Sequence, residues 1–174
     1  MTPRGKAPEA EPGPAFTALV RDHLDVVFGL VLRRVGDRQL AEDLVQEAFL
    51  RAWRARASLR DPERARGWLC VIAANVVRDH VRARAARPAE VFDLGQAGHL
   101  AAGDDPAEAV AATETARALI EVLARLPAQH REMFVLRERD GLSYREIAAV
   151  MDCPIGSVMS GLARARERLL EVLR

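Results

Sequence analysis

The sequence predicts an all-α fold made of two small helical domains joined by a flexible acidic linker. Alanine, leucine, arginine, glutamate and valine dominate the 174 residues, and these residue types favour helix over strand. Apolar residues recur at steps of three and four along several long segments, with no strict alternation of the kind that strands show. A stretch rich in proline, glycine and acidic residues separates two helical parts.

Stretches rich in proline, glycine and charged residues set the expected domain boundaries. We expect a flexible tail over residues 1–14, because that stretch is rich in proline, glycine and charge. A first helical domain is predicted over 15–87 and a second over 107–174. The linker between them, 88–106, contains "AGHLAAGDDP" and loses the helical period.

Composition limits where the chain works. Hydrophobic residues make up 49%, enough for a packed core, and no apolar run approaches the length of a membrane span. The N-terminus lacks the hydrophobic segment of a signal peptide. Cys70 and Cys153 are isolated thiols, which predicts reduced cysteines rather than a disulfide. The expected location is therefore cytoplasmic, without direct membrane insertion.

Charge is distributed unevenly along the chain. Residues 51–87 carry ten arginines and three acidic residues, whereas residues 88–124 carry one arginine and seven acidic residues. Such a basic block beside an acidic one indicates contact with a polyanion at the first segment and not at the second. A solvated charged face is the alternative explanation.

The first two predicted helices each carry one apolar stripe. The first stripe ends before a break at Gly36 and comprises Phe16, Leu19, Val20, His23, Val27, Leu30 and Val31. The second is very regular and comprises Ala41, Leu44, Val45, Ala48, Phe49, Ala52 and Trp53. Its opposite face is polar and includes Asp43, Gln46 and Glu47, which we expect to be exposed.

A third long helix is predicted over residues 66–86, after a proline-containing loop without helical period. Its inward side is expected to comprise Leu69, Ile72, Ala73, Val76 and His80. Asn75, Arg78, Asp79 and Arg82 are three or four residues apart, which places them on one exposed face. Trp53 and Trp68 lie on or beside apolar stripes, so core packing is favoured over base stacking for both.

The stretch "LSYREIAAVMDCPIGSVMSGLARARERL", residues 142–169, has the plan of a helix-turn-helix unit. Ser143 and Glu146 have the spacing of a capping box at the start of its first helix. The inner face of the second helix is predicted to comprise Ile155, Val158, Leu162, Ala165 and Leu169. Its outer face is predicted to comprise Ser157, Ser160, Gly161, Arg164 and Arg168, flanked by Met159 and Arg166. DNA binding is one interpretation, and an ordinary helical hairpin is the other.

Three segments together resemble the extracytoplasmic-function (ECF) sigma factors of bacterial RNA polymerase. They are "AEDLVQEAFLRAW", "RARGWLCVIAANVVRDHVRARAAR" and the run from "LARLPAQHREMFVLRERDG" into the helix-turn-helix stretch. The resemblance extends from about Phe16 to Leu173. It implies that the first domain is similar to region 2, which docks on the polymerase clamp and opens the minus-10 element. The second resembles region 4, which reads the minus-35 element and binds the polymerase flap.

The resemblance also implies roles for particular residues. The polymerase-binding face, which meets the β′ clamp helices, would include Asp43, Gln46 and Glu47. Minus-10 contacts would come from Ser58, Arg60, Asn75, Arg78 and Arg82. Minus-35 contacts would come from Ser157, Met159, Ser160, Gly161, Arg164, Arg166 and Arg168. Relatives commonly have a basic residue where this sequence has Gly161. Because glycine has no side chain, we expect Gly161 to let the helix backbone approach DNA closely.

The implied partners are the polymerase core, through its β′ clamp helices and β flap, promoter DNA, and an anti-sigma factor, typically a membrane protein. No catalytic residue or cofactor is expected, because a sigma factor makes no covalent change and no Ser/His/Asp trio is evident. No metal is expected, because the four histidines lack metal-ligand spacing. A free-standing helix-turn-helix regulator is the nearest alternative, and promoter binding without polymerase would favour it. A helical protein-interaction module without a DNA role is a second alternative.

Overall fold

The computed structural model describes residues 13–86 and 121–172, and these residues form helices and turns without any strand. The predicted linker, nearly all of the predicted tail and the first part of the predicted second domain lie outside the described residues. The prediction of an all-α fold is confirmed.

The first module begins with two long helices joined by a tight turn. Helix α1 spans Pro14–Val35 and ends at Gly36, whose φ of 69° is the left-handed conformation that glycine adopts readily. Helix α2 spans Arg38–Ala55, and the Asp37 carboxylate accepts a 3.0 Å hydrogen bond from the Leu40 amide at its start. The predicted break at Gly36 therefore marks a capped helix end.

A loop with two short 3₁₀ turns, Arg56–Ser58 and Pro62–Arg64, leads into helix α3, Ala65–Ala85. Helices α1, α2 and α3 pack against one another around a common apolar core. The buried side chains that form it include Val27, Leu30, Val31, Leu44, Val45, Ala48, Leu69, Ala73, Val76 and Val77.

The second module contains three described helices after a short helical stretch at 121–125. Helix α4 spans Ala128–Glu138, α5 spans Tyr144–Met151 and α6 spans Ile155–Val172. The capping box predicted at Ser143 and Glu146 is confirmed, because each side chain accepts a hydrogen bond from the backbone amide of the other residue. The buried side chains here include Met133, Leu136, Leu142, Ile147, Val150, Val158, Leu162 and Ala165.

Helix α3 is buried on two sides, because the second module packs against the first. One side of α3 faces α1 and α2. A second side is formed by residues at steps of three and four, namely Gly67, Cys70, Ala74 and Arg78. This stripe faces α5. As a result, one hydrophobic cluster runs from Val27 in the first module to Leu162 in the second.

Candidate polymerase and nucleic-acid interfaces

The predicted polymerase face lies on the solvent side of α2. Asp43 and Gln46 are exposed, and Glu47 is partly exposed. The Glu47 carboxylate accepts a hydrogen bond of 2.8 Å from Arg51, which also donates to Asp79 on α3. The hydrogen bond from Arg51 lowers the pKa of Asp79 below its usual value and so favours the ionised form of that carboxylate.

Leu50 belongs to the same face, and the sequence reasoning missed it. It follows Asp43 by seven residues and Gln46 by four, which places all three on one side of the helix. The Leu50 side chain is 49% exposed. An exposed leucine within a polar rim is typical of a protein-binding surface. The signal was present in the sequence as an apolar residue outside the stripe of α2.

The predicted minus-10 residues occupy two separate elements of the first module. Ser58 and Arg60 are exposed at the loop after α2. The Trp68 indole nitrogen donates a 3.2 Å hydrogen bond to the Ser58 hydroxyl, which ties the loop to α3. Trp53 packs edge-on against Phe16, with ring centroids 5.0 Å apart. The Arg56 guanidinium lies over the Trp53 ring, 3.8 Å from the ring centroid. Both tryptophans thus pack within the protein.

Asn75, Arg78 and Arg82 differ in their exposure on α3. Asn75 and Arg82 are exposed, as expected. Arg78 is partly buried, because its guanidinium donates to the Val150 carbonyl at 3.1 Å and to the Ala149 carbonyl at 3.4 Å. It also donates to the Asn75 side-chain oxygen. The expectation that Arg78 stands free on an exposed face is therefore wrong in this arrangement of the modules.

Helices α5 and α6 have the geometry of a helix-turn-helix unit, with a bend of 106° between them. Asp152 ends α5 with a φ of 52°, and the Cys153 amide donates to the Ala148 carbonyl at 3.0 Å. Ser157, Met159, Ser160 and Arg164 are exposed on α6. The side chains that a DNA reader needs are therefore available on its first turns.

Gly161 is not on the outer face of α6, so this prediction is wrong. A Cβ atom at position 161 would lie 2.6 Å from the Met133 sulfur and 3.2 Å from the His130 ring on α4. Gly161 is buried, and its missing side chain lets α6 approach α4 closely. The glycine therefore has a packing role at the contact between α6 and α4.

Ile155 is a second correction on α6. We expected it on the inner face, but its side chain is 44% exposed. It lies one turn before Met159, which is 56% exposed, so the two apolar side chains are neighbours at the start of the helix. Sequence reasoning missed Ile155 as a surface residue because the inner stripe was extended one turn too far.

The remaining arginines of α6 form ion pairs at its surface. Arg166 donates to Glu138 at 2.9 Å and to the Tyr144 hydroxyl at 3.3 Å, and Arg168 donates to Glu171 at 3.1 Å. Arg164 and Arg168 also line an open groove of about 840 Å³ against the end of the 121–125 helix. These exposed ion pairs are weak, so they leave the guanidinium groups able to exchange partners.

Within residues 13–86 and 121–172, no cluster of three histidine, cysteine or acidic side chains has the geometry to hold a metal ion. In the same ranges no single helix has the length and apolar character of a membrane span. Among the helices of these described residues, the bent pair α5 and α6 has that length and composition when the two are taken together.

Comparison with known proteins supplies the family. The family model for Sigma-70 region 2 matches residues 19–87, and that for Sigma-70, region 4 matches residues 116–169. The ECF RNA polymerase sigma-E factor of Escherichia coli K12 is 38% identical over 164 residues, which cover 89% of this chain and 84% of that protein. This chain belongs to the ECF sigma factors.

Other sigma factors match this ECF sigma factor over most of its length. The RNA polymerase sigma-H factor of Pseudomonas aeruginosa is 35% identical over 167 residues, covering 92% of this chain and 86% of that protein. Proteins of this family are transcription initiation factors rather than catalysts.

Two solved structures share the fold. Sigma factor RpoE of Bartonella quintana, in complex with the anti-sigma factor NepR, has a TM-score of 0.58 and 24% identity over 92% of this chain and 98% of that one. CnrH, in complex with the cytosolic domain of CnrY, has a TM-score of 0.51 and 27% identity over 95% of this chain and 91% of that one.

Proposed function

We propose that this ECF sigma factor binds the core of bacterial RNA polymerase and directs it to a specific set of promoters through their minus-10 and minus-35 elements. The observation that carries the proposal is that one chain matches both Sigma-70 region 2 and region 4, in order. A free-standing helix-turn-helix regulator would leave the matched residues 19–87 without a role. In this proposal the protein acts in the cytoplasm, where promoter DNA is, and catalyses no reaction itself.

Transcription by reconstituted polymerase tests this function. Core enzyme mixed with the purified chain should initiate from a subset of promoters in a randomised library, whereas core alone should not. Initiating templates should share two short elements, from which the minus-35 and minus-10 sequences are read. A chain that retains promoter DNA without core and stimulates no initiation would instead be a free-standing regulator.

The polymerase-binding role is assigned to α2. Asp43 and Gln46 offer a charged and a hydrogen-bonding group, and Leu50 offers an apolar anchor beside them. Glu47 is less available, since Arg51 holds its carboxylate. We therefore expect Asp43, Gln46 and Leu50 to contribute more to core binding than Glu47.

The minus-10 role is assigned to the loop at Ser58 and Arg60 together with Asn75, Arg78 and Arg82. An asparagine amide can donate to and accept from a base edge, whereas arginines hold phosphates. Asn75→Ala should change the preferred minus-10 sequence in the library selection, while Arg82→Ala should reduce initiation from all selected promoters alike. Equal behaviour of both variants and the wild-type chain would remove α3 from the minus-10 interface.

The minus-35 role is assigned to Ser157, Met159, Ser160 and Arg164, with Arg166 and Arg168 at the sides. We add Ile155, because it shares the exposed start of α6 with Met159. The N-terminal residues of a recognition helix contact base edges in the major groove, where thymine presents a methyl group to apolar side chains. Ile155 and Met159 would therefore favour thymines in the minus-35 element.

This preference can be tested by removing single methyl groups from DNA. Uracil in place of a contacted thymine should weaken binding by holoenzyme about fourfold, since one buried methyl contributes about 0.8 kcal/mol. The same exchange should have no effect on holoenzyme that carries Ile155→Ala and Met159→Ala. If every thymine-to-uracil exchange is neutral for the wild-type protein, these side chains do not read thymine.

An anti-sigma partner is the remaining proposal. The structures of RpoE and CnrH contain the anti-sigma factor NepR and the cytosolic domain of CnrY, respectively. We extend this form of control to the present chain, with an anti-sigma factor that is typically a membrane protein.

A further inference from the structure

The contact between the two modules is built from complementary charges. Arg33 on α1 donates to the Asp140 carboxylate at 2.7 Å, and Arg34 donates to Glu132 at 2.8 Å. Both arginines are largely buried, and the side chain of Asp140 is only 2% exposed. A buried, unpaired carboxylate would be strongly unfavourable, so Asp140 depends on Arg33 from the other module.

Arginines of the first module also satisfy the end of α5. The last four carbonyls of a helix have no partner within the helix, and its C-terminus carries partial negative charge. The Val150 carbonyl accepts from Arg34 at 3.0 Å and from Arg78 at 3.1 Å. The first helix of the helix-turn-helix unit thus has its C-terminal carbonyls bound by α1 and α3.

A stripe of small residues on α3 brings α5 close. A Cβ atom at Gly67 would overlap the carboxyl end of Glu146, the residue that closes the capping box of α5. Cys70 and Ala74 continue the stripe and are fully buried. A single Cβ atom could be accommodated by a shift of the Glu146 side chain, whereas we expect a side chain as large as leucine to push α5 away.

This contact covers part of the proposed minus-10 surface. Arg78 is turned toward α5 while it donates to Val150 and Ala149, and it also donates to Asn75, so fewer of its five N–H groups are left for a phosphate. We infer that the face of α1 and α3 bearing Arg33, Gly67 and Arg78 is an autoinhibitory docking surface whose occupant is the chain's own α4–α5 unit. Promoter contact by α3 then requires the two modules to separate. This inference rests on the minus-10 role proposed for α3.

Cys70 provides a reporter of separation within the natural sequence. Burial, with a further contribution from Asp140 across the contact, raises the pKa of its thiol to about 12. The thiolate is the reactive form, so Cys70 should react slowly with a thiol reagent while the modules are closed. Separation removes both the burial by α5 and the Asp140 charge, and labelling should then accelerate. Cys153→Ser removes the other thiol from this assay.

The first variant is Arg33→Ala, which leaves Asp140 without its partner unless the modules open. Removal of one partner of a buried pair should shift the ratio of closed to open chains about a hundredfold or more. We expect Cys70 to be labelled at least tenfold faster than in the wild-type chain. Arg21→Ala is the matched control, because Arg21 lies on the same helix in an exposed ion pair. It should leave the labelling rate unchanged.

DNA binding in the absence of core then tests whether separation uncovers the α3 surface. The probe is a fluorescent single-stranded 20-mer of random sequence. Freed Arg78 should steepen the dependence of log affinity on log salt by about 0.7, although Arg33→Ala removes one positive charge. Adding Arg78→Ala to the Arg33→Ala variant should return the slope to the wild-type value.

A steric variant separates opening from any effect on folding. Gly67→Leu changes no charge and should give the same faster labelling and steeper slope, with the helical circular dichroism retained. Unchanged labelling in both folded variants would refute the docking surface. Faster labelling without a steeper slope would refute autoinhibition. Neither outcome affects the proposed sigma function, which is judged by initiation with core polymerase.

Discussion

Gly161→Arg should destabilise the second module by about 3–5 kcal/mol. Its side chain would start 2.6 Å from the Met133 sulfur and extend into the buried contact between α4 and α6. Overpacking of a core costs about 1–3 kcal/mol, and a buried cation without a partner adds to that. Chemical denaturation with circular dichroism measures the change. The loss should appear as a lower transition midpoint rather than as altered DNA contact.

Ser160→Arg is the matched control, because Ser160 directly precedes Gly161 on the same helix and is exposed. An exposed substitution of this kind should change the free energy of unfolding by no more than about 0.5 kcal/mol. Gly161→Ala should also destabilise, by about 1 kcal/mol, and combination with Met133→Val should be less harmful than the sum of the two changes. If Gly161→Arg is as stable as Ser160→Arg, the close approach of α6 to α4 is wrong.

Leu50→Asp should lower the affinity for core polymerase by about tenfold to a hundredfold. An apolar side chain at the centre of an interface commonly contributes about 1–3 kcal/mol, and a carboxylate there must also be desolvated. The fold should remain intact, since Leu50 is half exposed in the free chain. Fluorescence titration of labelled chain with core enzyme gives the dissociation constant.

Leu24→Asp is the control for this experiment. Leu24 is a leucine of similar exposure, 42%, but it lies on α1 and outside the α2 face. Its replacement should leave core affinity unchanged. Asp43→Arg should weaken binding as Leu50→Asp does, whereas equal affinities for the wild-type chain and both α2 variants would place the polymerase contact on another surface.

Most helices could be predicted from the sequence because each has one apolar face whose residues recur at the helical period. The stripe of α2 is regular, and every expected member is buried or partly buried. The capping box at Ser143 and Glu146 depends on local spacing alone, so it too was predictable. Local chemistry decides such features, and distant parts of the chain have little influence on them.

The second buried face of α3 could not be predicted in this way. Gly67, Cys70 and Ala74 are small and only weakly apolar, so they add little to a periodic pattern. Their burial results from contact with a module more than 60 residues away in the sequence. For the same reason, Arg78 was expected on an exposed face and was found bound to carbonyls of α5.

The errors on α6 also have a physical origin. Glycine has no side chain to show which way it faces, and Gly161 stands between residues of both faces. Ile155 is apolar and fits the inner period, but it precedes the part of the helix that α4 and α5 cover. The period alone therefore placed both residues on the wrong side.

The hydrophobic cluster shared by the two modules ties their melting together. Separate domains would unfold in independent transitions, whereas helices that bury one another's apolar surface should melt in a single cooperative step. In the free chain, calorimetric and van't Hoff enthalpies should therefore agree. If promoter contact requires the two modules to separate, as inferred above, the shared cluster is divided at that step, and each module must then rely on its own core or on contacts with polymerase. Within residues 13–86 and 121–172 of the closed chain, proteolysis should accordingly require the same cooperative opening.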